Sequence, residues 1–291
     1  MKDLNLNIFP PTTKDQWVKL AEKQLKGANP DDQLRWKNGS NIELQGYYDD
    51  SDLESLSYLD DFFSNIPHHK WKLYEEVTVE NAELANNQVL KALMGGCDGV
   101  ILRLNDHEKL DVVLKDVDRS ICDISIRSSS KIESSTLSGM MMMKDGNCIV
   151  EESTLNPIEQ ITQILLQKHK PFIYRLSNPD FFLEIATVRA LRYHLDQVGR
   201  KNVHIHSHVP LHQSPEHQWF LNTTSGLASV LGGSHSIDFT TATGDPRISR
   251  NTGNLIREES GLEEYTDQCR GSFYIEVLTD KIINAVKQGM K

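Results

Sequence analysis

Three histidines alternate with other residues in segment 202–209, which runs Asn-Val-His-Ile-His-Ser-His-Val. Successive side chains of a β-strand point to opposite faces, so His204, His206 and His208 would share one face of a strand. Imidazole is a common metal ligand and an acid–base group that titrates near neutral pH. The spacing therefore indicates either a metal site, completed by Asp238 or Asp123, or a polar cavity in which the histidines hydrogen-bond to their neighbours.

Arginines occupy comparable positions in three other predicted strands. The alternation predicts that Arg103, Arg127 and Arg175 all lie on the polar faces that the histidines also occupy. Several guanidinium groups in one interior would be unstable without anions nearby. Either Asp123 and Asp238 pair with some of them, or the interior binds an anionic ligand such as a carboxylate or a phosphorylated cofactor. Both interpretations remain open from the residues alone.

Other common kinds of site have no motif in this chain. There is no Gly-x-Ser-x-Gly for a nucleophilic serine, and neither a Walker motif nor Gly-x-Gly-x-x-Gly for phosphate binding. The four cysteines are far apart in sequence and form no Cys-x-x-Cys pair, which argues against a zinc ribbon or a thioredoxin-like site.

Strands and helices alternate along most of the chain, which is typical of a parallel sheet built from βα units. The patterns predict strands at 71–77, 99–104, 121–127, 148–151, 172–176, 202–208 and 234–239. They predict helices at 80–94, 106–116, 157–168, 179–198, 216–231, 246–259 and about 276–288. Most strands are apolar on one face and polar on the other, so the polar faces need a common interior. We therefore predict an α/β fold, a (β/α)8 TIM-type barrel with an N-terminal extension, over a flat sheet with one solvated face.

The domain organisation follows from where this alternation begins. Residues 67–291 are predicted to form the barrel, and residues 1–66 an extension rich in acidic and aromatic residues. Its aromatic side chains could pack on the barrel or contact another subunit, so the extension is interpreted as a subunit-contact arm. In segment 128–156 the pattern is unclear, and its methionine run at 140–143 is interpreted as core filling.

Composition limits the partners. The chain has 291 residues, 38% hydrophobic and 25% charged, with a net charge of −10. It has no basic stripe, so nucleic acid is not expected as a partner. No run of 18 apolar residues and no signal-peptide pattern occur, so we expect no membrane association and a cytoplasmic location.

Four motifs in the second half of the chain resemble those of methylmalonyl-CoA mutases, and they occur in the same order. They are DFFLEIATVRALR at 180–192, VLGGSHSI at 230–237, RISRNT at 247–252 followed by EESGL at 258–262, and GSFYIE at 271–276. The N-terminal positions Trp17, Trp36, Tyr47 and Tyr48 are similar to the opening of the family's small subunits.

The resemblance implies a (β/α)8 barrel whose axis can be threaded by coenzyme A. Active members use adenosylcobalamin to interconvert methylmalonyl-CoA and succinyl-CoA. His206 matches a family histidine that contacts the acyl group. His206, Arg175 and Arg127 are therefore the predicted substrate-binding residues, and no residue is predicted to be catalytic, to bind cofactor or to hold metal.

The sequence also departs from the active members of the family. It has no Asp-x-His-x-x-Gly motif for cobalt ligation, and Thr240–Gly244 lacks the Asn and Glu that meet the adenosyl group. Arg270 replaces a glycine of the family's DPAGGSYY motif. The resemblance is therefore to a truncated small (beta) subunit without the cobalamin-binding domain. It implies a non-catalytic partner of a large catalytic subunit that binds adenosylcobalamin. The alternatives are an acyl-CoA-binding mutase half that uses a cobalamin domain in trans, and a metal-dependent barrel hydrolase.

Overall fold

The structure is a computed structural model that describes residues 12–63, 70–104, 110–128, 141–142, 148–150, 156–167, 172–200, 202–211, 214–241 and 244–290. The leader before residue 12, Met140, Met143 and the side chains of Met141 and Met142 lie outside what the structure describes. No described helix combines the length and the apolar character needed to cross a bilayer.

The chain begins with an arm of short elements. In order, they are α1 (Lys14–Gln24), α2 (Pro30–Leu34), the antiparallel strands β1 (Trp36–Lys37) and β2 (Glu43–Leu44), α3 (Asp50–Leu53) and α4 (Tyr58–Phe63). A capping box formed by Thr13 and Gln16 begins α1, and Asn29 with Pro30 begins α2.

The rest of the chain alternates strands and helices. The strands are β3 (Lys72–Thr78), β4 (Gly99–Leu104), β5 (Asp123–Ser128), β6 (Met141–Met142), β7 (Cys148–Val150), β8 (Phe172–Leu176), β9 (His204–Val209) and β10 (Ser236–Phe239). The helices are α5 (Ala82–Met94), α6 (Leu110–Val113), α7 (Pro157–Leu166), α8 (Phe181–Gln197), α9 (Pro215–Gly232), α10 (Arg247–Glu259) and α11 (Phe273–Gly289), with a 3-10 turn at Leu262–Glu264 before α11.

Strands β3 to β10 are joined in one parallel sheet with the order β6-β5-β4-β3-β10-β9-β8-β7. The first and last of these strands are therefore neighbours, with Ser236 opposite Lys72. A sheet whose last strand returns beside its first curves around an axis, which is the arrangement of a TIM-type barrel. This confirms the predicted fold class. The unclear region contributes the short strand β6, which pairs with β5, and the predicted strand at 148–151 appears as β7, which pairs with β8.

The largest apolar layers lie between the sheet and the helices. Val100, Leu102, Ile124 and Ile126 are 0–3% exposed and pack with residues of α5. On the other side of the barrel, Ile173 and Ile205 pack with residues of α7, α8 and α11. Burial of each of these side chains contributes about 1.5–3 kcal/mol of stability, which holds the helices against the sheet and fixes which strand residues face inward.

The arm packs on the outside of this barrel. Leu44 and Tyr58 are 0% and 2% exposed and belong to the same core cluster as Ile282 and Ile283 of α11. The Tyr58 hydroxyl donates to the Glu276 carboxylate, and the Lys281 ammonium donates to the Glu43 carbonyl oxygen at 2.8 Å. Residues 36–58 are therefore a fixed part of the molecule's own surface.

Candidate functional site at the mouth of the barrel

A pocket of about 440 Å³ lies at the carboxyl ends of the barrel strands. This is the end at which TIM-barrel enzymes place their active sites. The polar and aromatic side chains around it come from six strands or the residues after them: Glu76, Arg103, Arg127, Tyr174, His208, Thr240 and Thr241. Parallel strands that end side by side bring these residues together although they are as far apart as 165 positions in sequence.

A buried carboxylate joins two of the histidines below the mouth. Asp238 of β10 is fully buried, and its Oδ1 lies 2.8 Å from His206 Nε2 and 2.9 Å from His208 Nδ1. The parallel register places Asp238 opposite His208 on the neighbouring strand, so this contact follows from strand pairing. Burial by itself would raise the pKa of Asp238, but the two imidazoles hold that pKa well below its usual range.

His208 connects the buried carboxylate to the pocket. Its Nδ1 contacts both Asp238 oxygens, at 2.9 and 3.0 Å, and its Nε2 lies 3.1 Å from Thr240 Oγ1. Burial would lower the pKa of His208, but the charge of Asp238 and its hydrogen bond outweigh burial and raise that pKa above its ordinary value. The His208 side chain is 14% exposed, so it is the histidine of the three that reaches the pocket.

Two arginines and one glutamate lie on the opposite wall. Arg127 Nη1 lies 2.9 Å from Glu76 Oε2, and Arg103 Nη1 lies 3.5 Å from Glu76 Oε1. One carboxylate thus serves two guanidinium groups, and the Arg103 side chain is 55% exposed. Arg127 also stacks over the Tyr174 ring, 5.0 Å from its centroid. This wall is suited to an anionic ligand group.

Stacked rings occupy the described part of the barrel interior. His206 lies between Tyr74 and Tyr174, with ring centroids 5.5 and 5.2 Å away, and His204 stacks on Phe172 at 5.0 Å. His206, Tyr174 and Phe172 are 0% exposed and Tyr74 is 2% exposed. The coenzyme A path along the axis that the resemblance implies is therefore filled by side chains at the level of His206.

The structure separates the three predicted substrate-binding residues. Arg127 lines the pocket, and His206 lies beneath it, where its Nδ1 contacts Ser236 Oγ at 2.8 Å. The prediction that Arg175 faces inward is wrong. On β8 the residues facing the interior are Phe172, Tyr174 and Leu176, and Arg175 faces the helices.

Arg175 is 1% exposed and is held by the layer outside the sheet. Its guanidinium donates to both carboxylate oxygens of Glu184 on α8, at 2.6 and 2.8 Å. It also donates to Gln160 Oε1 and to Ser207 Oγ, each at 2.8 Å. A polar side chain does not mark the inner face of β8, because the carboxylate of Glu184 on α8 neutralises the outward-facing guanidinium of Arg175.

Metal chemistry finds no support in the described residues. Among them, no three His, Cys, Asp or Glu side chains are grouped as ligands of one metal ion. Of the three histidines of β9, only His208 reaches the pocket, and both of its ring nitrogens already contact Asp238 and Thr240, so these described residues offer cobalamin no free nitrogen ligand. The residues described here do not fit the cofactor of active mutases.

The sequence prediction missed the pairing of His208 with Asp238 and Thr240. The signal was present in two adjacent strands, since both 204–208 and 236–240 carry polar residues at every second position. Aligning the two strands in parallel, with His206 beside Ser236, brings His208 to Asp238.

Comparisons with known proteins agree with the motifs. Residues 171–291 match the family model described as methylmalonyl-CoA mutase. The chain is 33% identical over 129 residues to the methylmalonyl-CoA mutase of Escherichia coli (strain K12), which covers 37% of this chain and 18% of that protein. It is 21% identical over 387 residues to the methylmalonyl-CoA mutase small subunit of Porphyromonas gingivalis, covering 97% of this chain and 62% of the subunit.

A third relative, the methylmalonyl-CoA mutase of Cereibacter sphaeroides, is 22% identical over 401 residues, covering 92% of this chain and 56% of that protein. The chain thus spans between 18% and 62% of the length of these three relatives. The matched region includes α8, β9, β10, α10 and α11, which hold His206, His208 and Asp238. Family model, relatives and parallel barrel agree that this chain, above all in residues 171–291, is similar to methylmalonyl-CoA mutases.

Proposed function

We propose that the chain acts as a small-subunit-like partner of a large catalytic mutase subunit, and does not itself catalyse the isomerisation of methylmalonyl-CoA and succinyl-CoA. In this proposal the two chains form a heterodimer, and adenosylcobalamin is bound by the large subunit. The observation that carries the proposal is the similarity to a small subunit over 97% of this chain. The cytoplasmic location stays a prediction from the sequence.

The filled interior supports a non-catalytic role. A thioester threaded along the axis would have to displace the stacked rings of Tyr74, Phe172 and His206, each at most 2% exposed. Buried rings contribute several kcal/mol each to a core, so their displacement would be strongly unfavourable. A barrel packed in this way is stable without substrate, as a structural subunit needs to be.

An exposed aromatic surface supports a protein partner. Trp36 of the arm, Phe182 of α8 and Phe273 of α11 are 47%, 47% and 37% exposed. Trp36 and Phe273 border a groove of about 620 Å³ between the arm and the start of α11, which Tyr47, Tyr48 and Tyr274 also line. Aromatic residues are enriched at the centres of protein interfaces, so we propose this surface as the contact with the large subunit.

Co-expression with a large mutase subunit tests the proposal. The affinity-tagged chain should retain the large subunit, and the variant Phe182→Ser/Phe273→Ser should weaken retention at least tenfold, because the interface would lose two aromatic anchors. Phe220→Ser is the matched control, since Phe220 is 72% exposed on α9 away from this surface. If the double variant and the control behave alike, the surface is wrongly assigned. If the unchanged chain stays alone and leaves mutase activity unaltered, the subunit role is refuted.

The charged wall of the pocket favours a second candidate function, in which the chain is an acyl-CoA-binding mutase half that uses a cobalamin domain in trans. Arg127 and Arg103 would then contact the acyl carboxylate, with His206 supporting the site through Asp238. Calorimetry with an acyl-CoA carrying a carboxylate would detect binding, and Arg127→Met should weaken it at least tenfold. No heat of binding at millimolar ligand would eliminate this candidate.

A further inference from the structure

Asp238, His208 and Thr240 lie in line from the buried interior to the pocket. We propose that this array activates the Thr240 hydroxyl as a nucleophile, and that the barrel mouth hydrolyses esters or thioesters whose acyl chain carries a carboxylate. This activity would need neither cobalamin nor a partner chain. It is therefore independent of the proposed subunit role.

The three residues are arranged as a nucleophile, a general base and a carboxylate that orients the base. Thr240 Oγ1 is 3.1 Å from His208 Nε2, and His208 Nδ1 is 2.9 Å from Asp238 Oδ1. A hydroxyl within hydrogen-bond reach of an imidazole, itself oriented by a carboxylate, is the diagnostic geometry of an activated nucleophile. Such triads occur on unrelated folds and in different orders along the chain, so their geometry identifies them.

Neighbouring contacts fix each member of the array. Asp238 also accepts a hydrogen bond from His206 Nε2 at 2.8 Å, so it cannot swing away from His208. The His208 ring stacks on Tyr174 with 5.6 Å between centroids. The Thr240 backbone is held on both sides, since its N–H donates to the Val209 carbonyl at 3.0 Å and its carbonyl accepts from Asn222 at 3.3 Å.

The protonation states follow from the charges and hydrogen bonds around the two groups. Asp238 stays ionised because two imidazoles hold its pKa low, so it accepts a hydrogen bond from the N–H at His208 Nδ1. When His208 is neutral, its Nε2 then carries the lone pair that accepts the Thr240 proton. Because Asp238 raises the pKa of His208, the imidazole is a stronger base than a free histidine, and its basic form is reached at higher pH.

The surrounding charges define the substrate class. Arg103 and Arg127 both line the pocket that Thr240 faces, and the Arg103 side chain is 55% exposed. A carboxylate on the acyl chain would bind this accessible guanidinium group. The same positive wall favours the oxyanion that forms on the attacked carbonyl.

The chemical step balances with water as the only co-reactant. Thr240 Oγ1 bonds to the acyl carbonyl carbon while its proton passes to His208 Nε2, and the carbonyl becomes an oxyanion. The oxyanion collapses, the bond to the leaving alcohol or thiol breaks, and His208 returns the proton to that group. Water, deprotonated by His208, then releases the free acid from Thr240 and restores the hydroxyl.

The test measures hydrolysis by the full chain of two probes with similar acyl chains. One is mono-p-nitrophenyl glutarate, which carries a carboxylate, and the other is p-nitrophenyl pentanoate, which does not. Thr240→Val removes the hydroxyl at constant shape and should reduce turnover at least about 100-fold, and His208→Gln should do the same. Thr240→Ser should retain turnover. Thr223→Val is the matched control, because Thr223 is exposed on α9 and does not line the pocket.

Two further readouts distinguish an acting nucleophile from a residue that only supports the fold. Acid quenching during turnover should trap a glutaryl group on the peptide containing Thr240, as seen by mass spectrometry. Arg127→Met should raise KM for the glutarate ester and leave KM for the pentanoate ester unchanged.

The proposal is overturned if the chain hydrolyses neither probe faster than buffer, if Thr240→Val remains as active as the unchanged chain, or if the acyl group is trapped on another residue. Equal kcat/KM for the two probes would refute the substrate class. Because the assay contains neither cobalamin nor a second subunit, these failures leave the subunit proposal standing.

Discussion

Replacing Glu184 by glutamine would leave a charged arginine buried between sheet and helices without its counter-charge. Glu184 accepts four hydrogen bonds in the structure. Two come from Arg175, one from the Ser229 hydroxyl at 2.6 Å and one from the Asn178 N–H at 2.8 Å. Arg175 and Glu184 have side chains that are 1% and 0% exposed, so water cannot take over the lost pairing.

The expected loss in the free energy of unfolding is large, although Glu184→Gln replaces only one carboxylate oxygen by an amide nitrogen. Removing one partner of a buried ion pair costs about 3–5 kcal/mol, because the remaining charge stays desolvated. A domain's whole stability is about 5–15 kcal/mol, so Glu184→Gln should lower the free energy of unfolding by about a fifth or more. Arg175→Met alone should also destabilise, since it leaves the Glu184 carboxylate buried.

A double-mutant cycle measured by urea denaturation isolates the pair. In Arg175→Met/Glu184→Gln no charge remains buried, so the double variant should be more stable than the sum of the single losses predicts, by about 2–3 kcal/mol. Glu43→Gln is the matched control, because Arg35 and Glu43 form an exposed pair, 44% and 52% exposed, that contributes at most about 1 kcal/mol. The reasoning is refuted if Glu184→Gln costs no more than this control, or if the cycle shows no coupling.

Three other outcomes follow from individual residues. Burial, and then the charge of Lys287, lowers the pKa of His194 to about 4 from an unfolded value near 6.5. Neutral His194 therefore contributes fully to the free energy of unfolding above pH 6.5, and this contribution, about 3 kcal/mol in total, is lost as pH falls toward 4. In urea denaturation, His194→Gln should flatten the dependence of stability on pH over this range. Gly233 has φ +99°, and an added Cβ would lie 2.3 Å from Arg192 Nη1, so Gly233→Ala should lower the melting temperature more than Gly199→Ala, where φ is +74° and space is open. Burial raises the pKa of Cys97 to about 12 and of Cys269 to about 11, so in a Cys148→Ser background iodoacetamide at pH 8 should modify the partly exposed Cys122 first. Earlier labelling of Cys97 would show that its site opens in the native state.

The sequence was sufficient for the architecture because period-2 and helical patterns alternate so regularly. The predicted strand at 172–176 coincides with β8, and the predicted helix at 80–94 differs from α5 by two residues at its start. Of the predicted helix at 106–116, residues 106–109 lie outside the described ranges, α6 covers Leu110–Val113, and residues 114–116 form a turn.

The faces of the strands were harder to assign, because alternation does not say which face is inside. On β9 the polar face is the inner one, whereas on β8 the inner face carries Phe172 and Tyr174. The interior stacks imidazoles on aromatic rings, so polar and apolar inner faces are adjacent there. The face to which Arg175 points could be assigned only once its partner Glu184 was known. Glu184 lies nine residues later on α8, and the pairing appears only in the three-dimensional structure.

The contact between Tyr58 and Glu276 restricts how two subunits can assemble. The same carboxylate accepts two hydrogen bonds from Arg189, which also binds Asp267. Dissociation of the arm would remove the Tyr58 hydroxyl as a donor to the buried Glu276 carboxylate and would expose Leu44 and Tyr58 to water. Exchange of residues 36–58 between chains is therefore disfavoured, and a second protein would have to dock on the finished outer surface, without domain swapping.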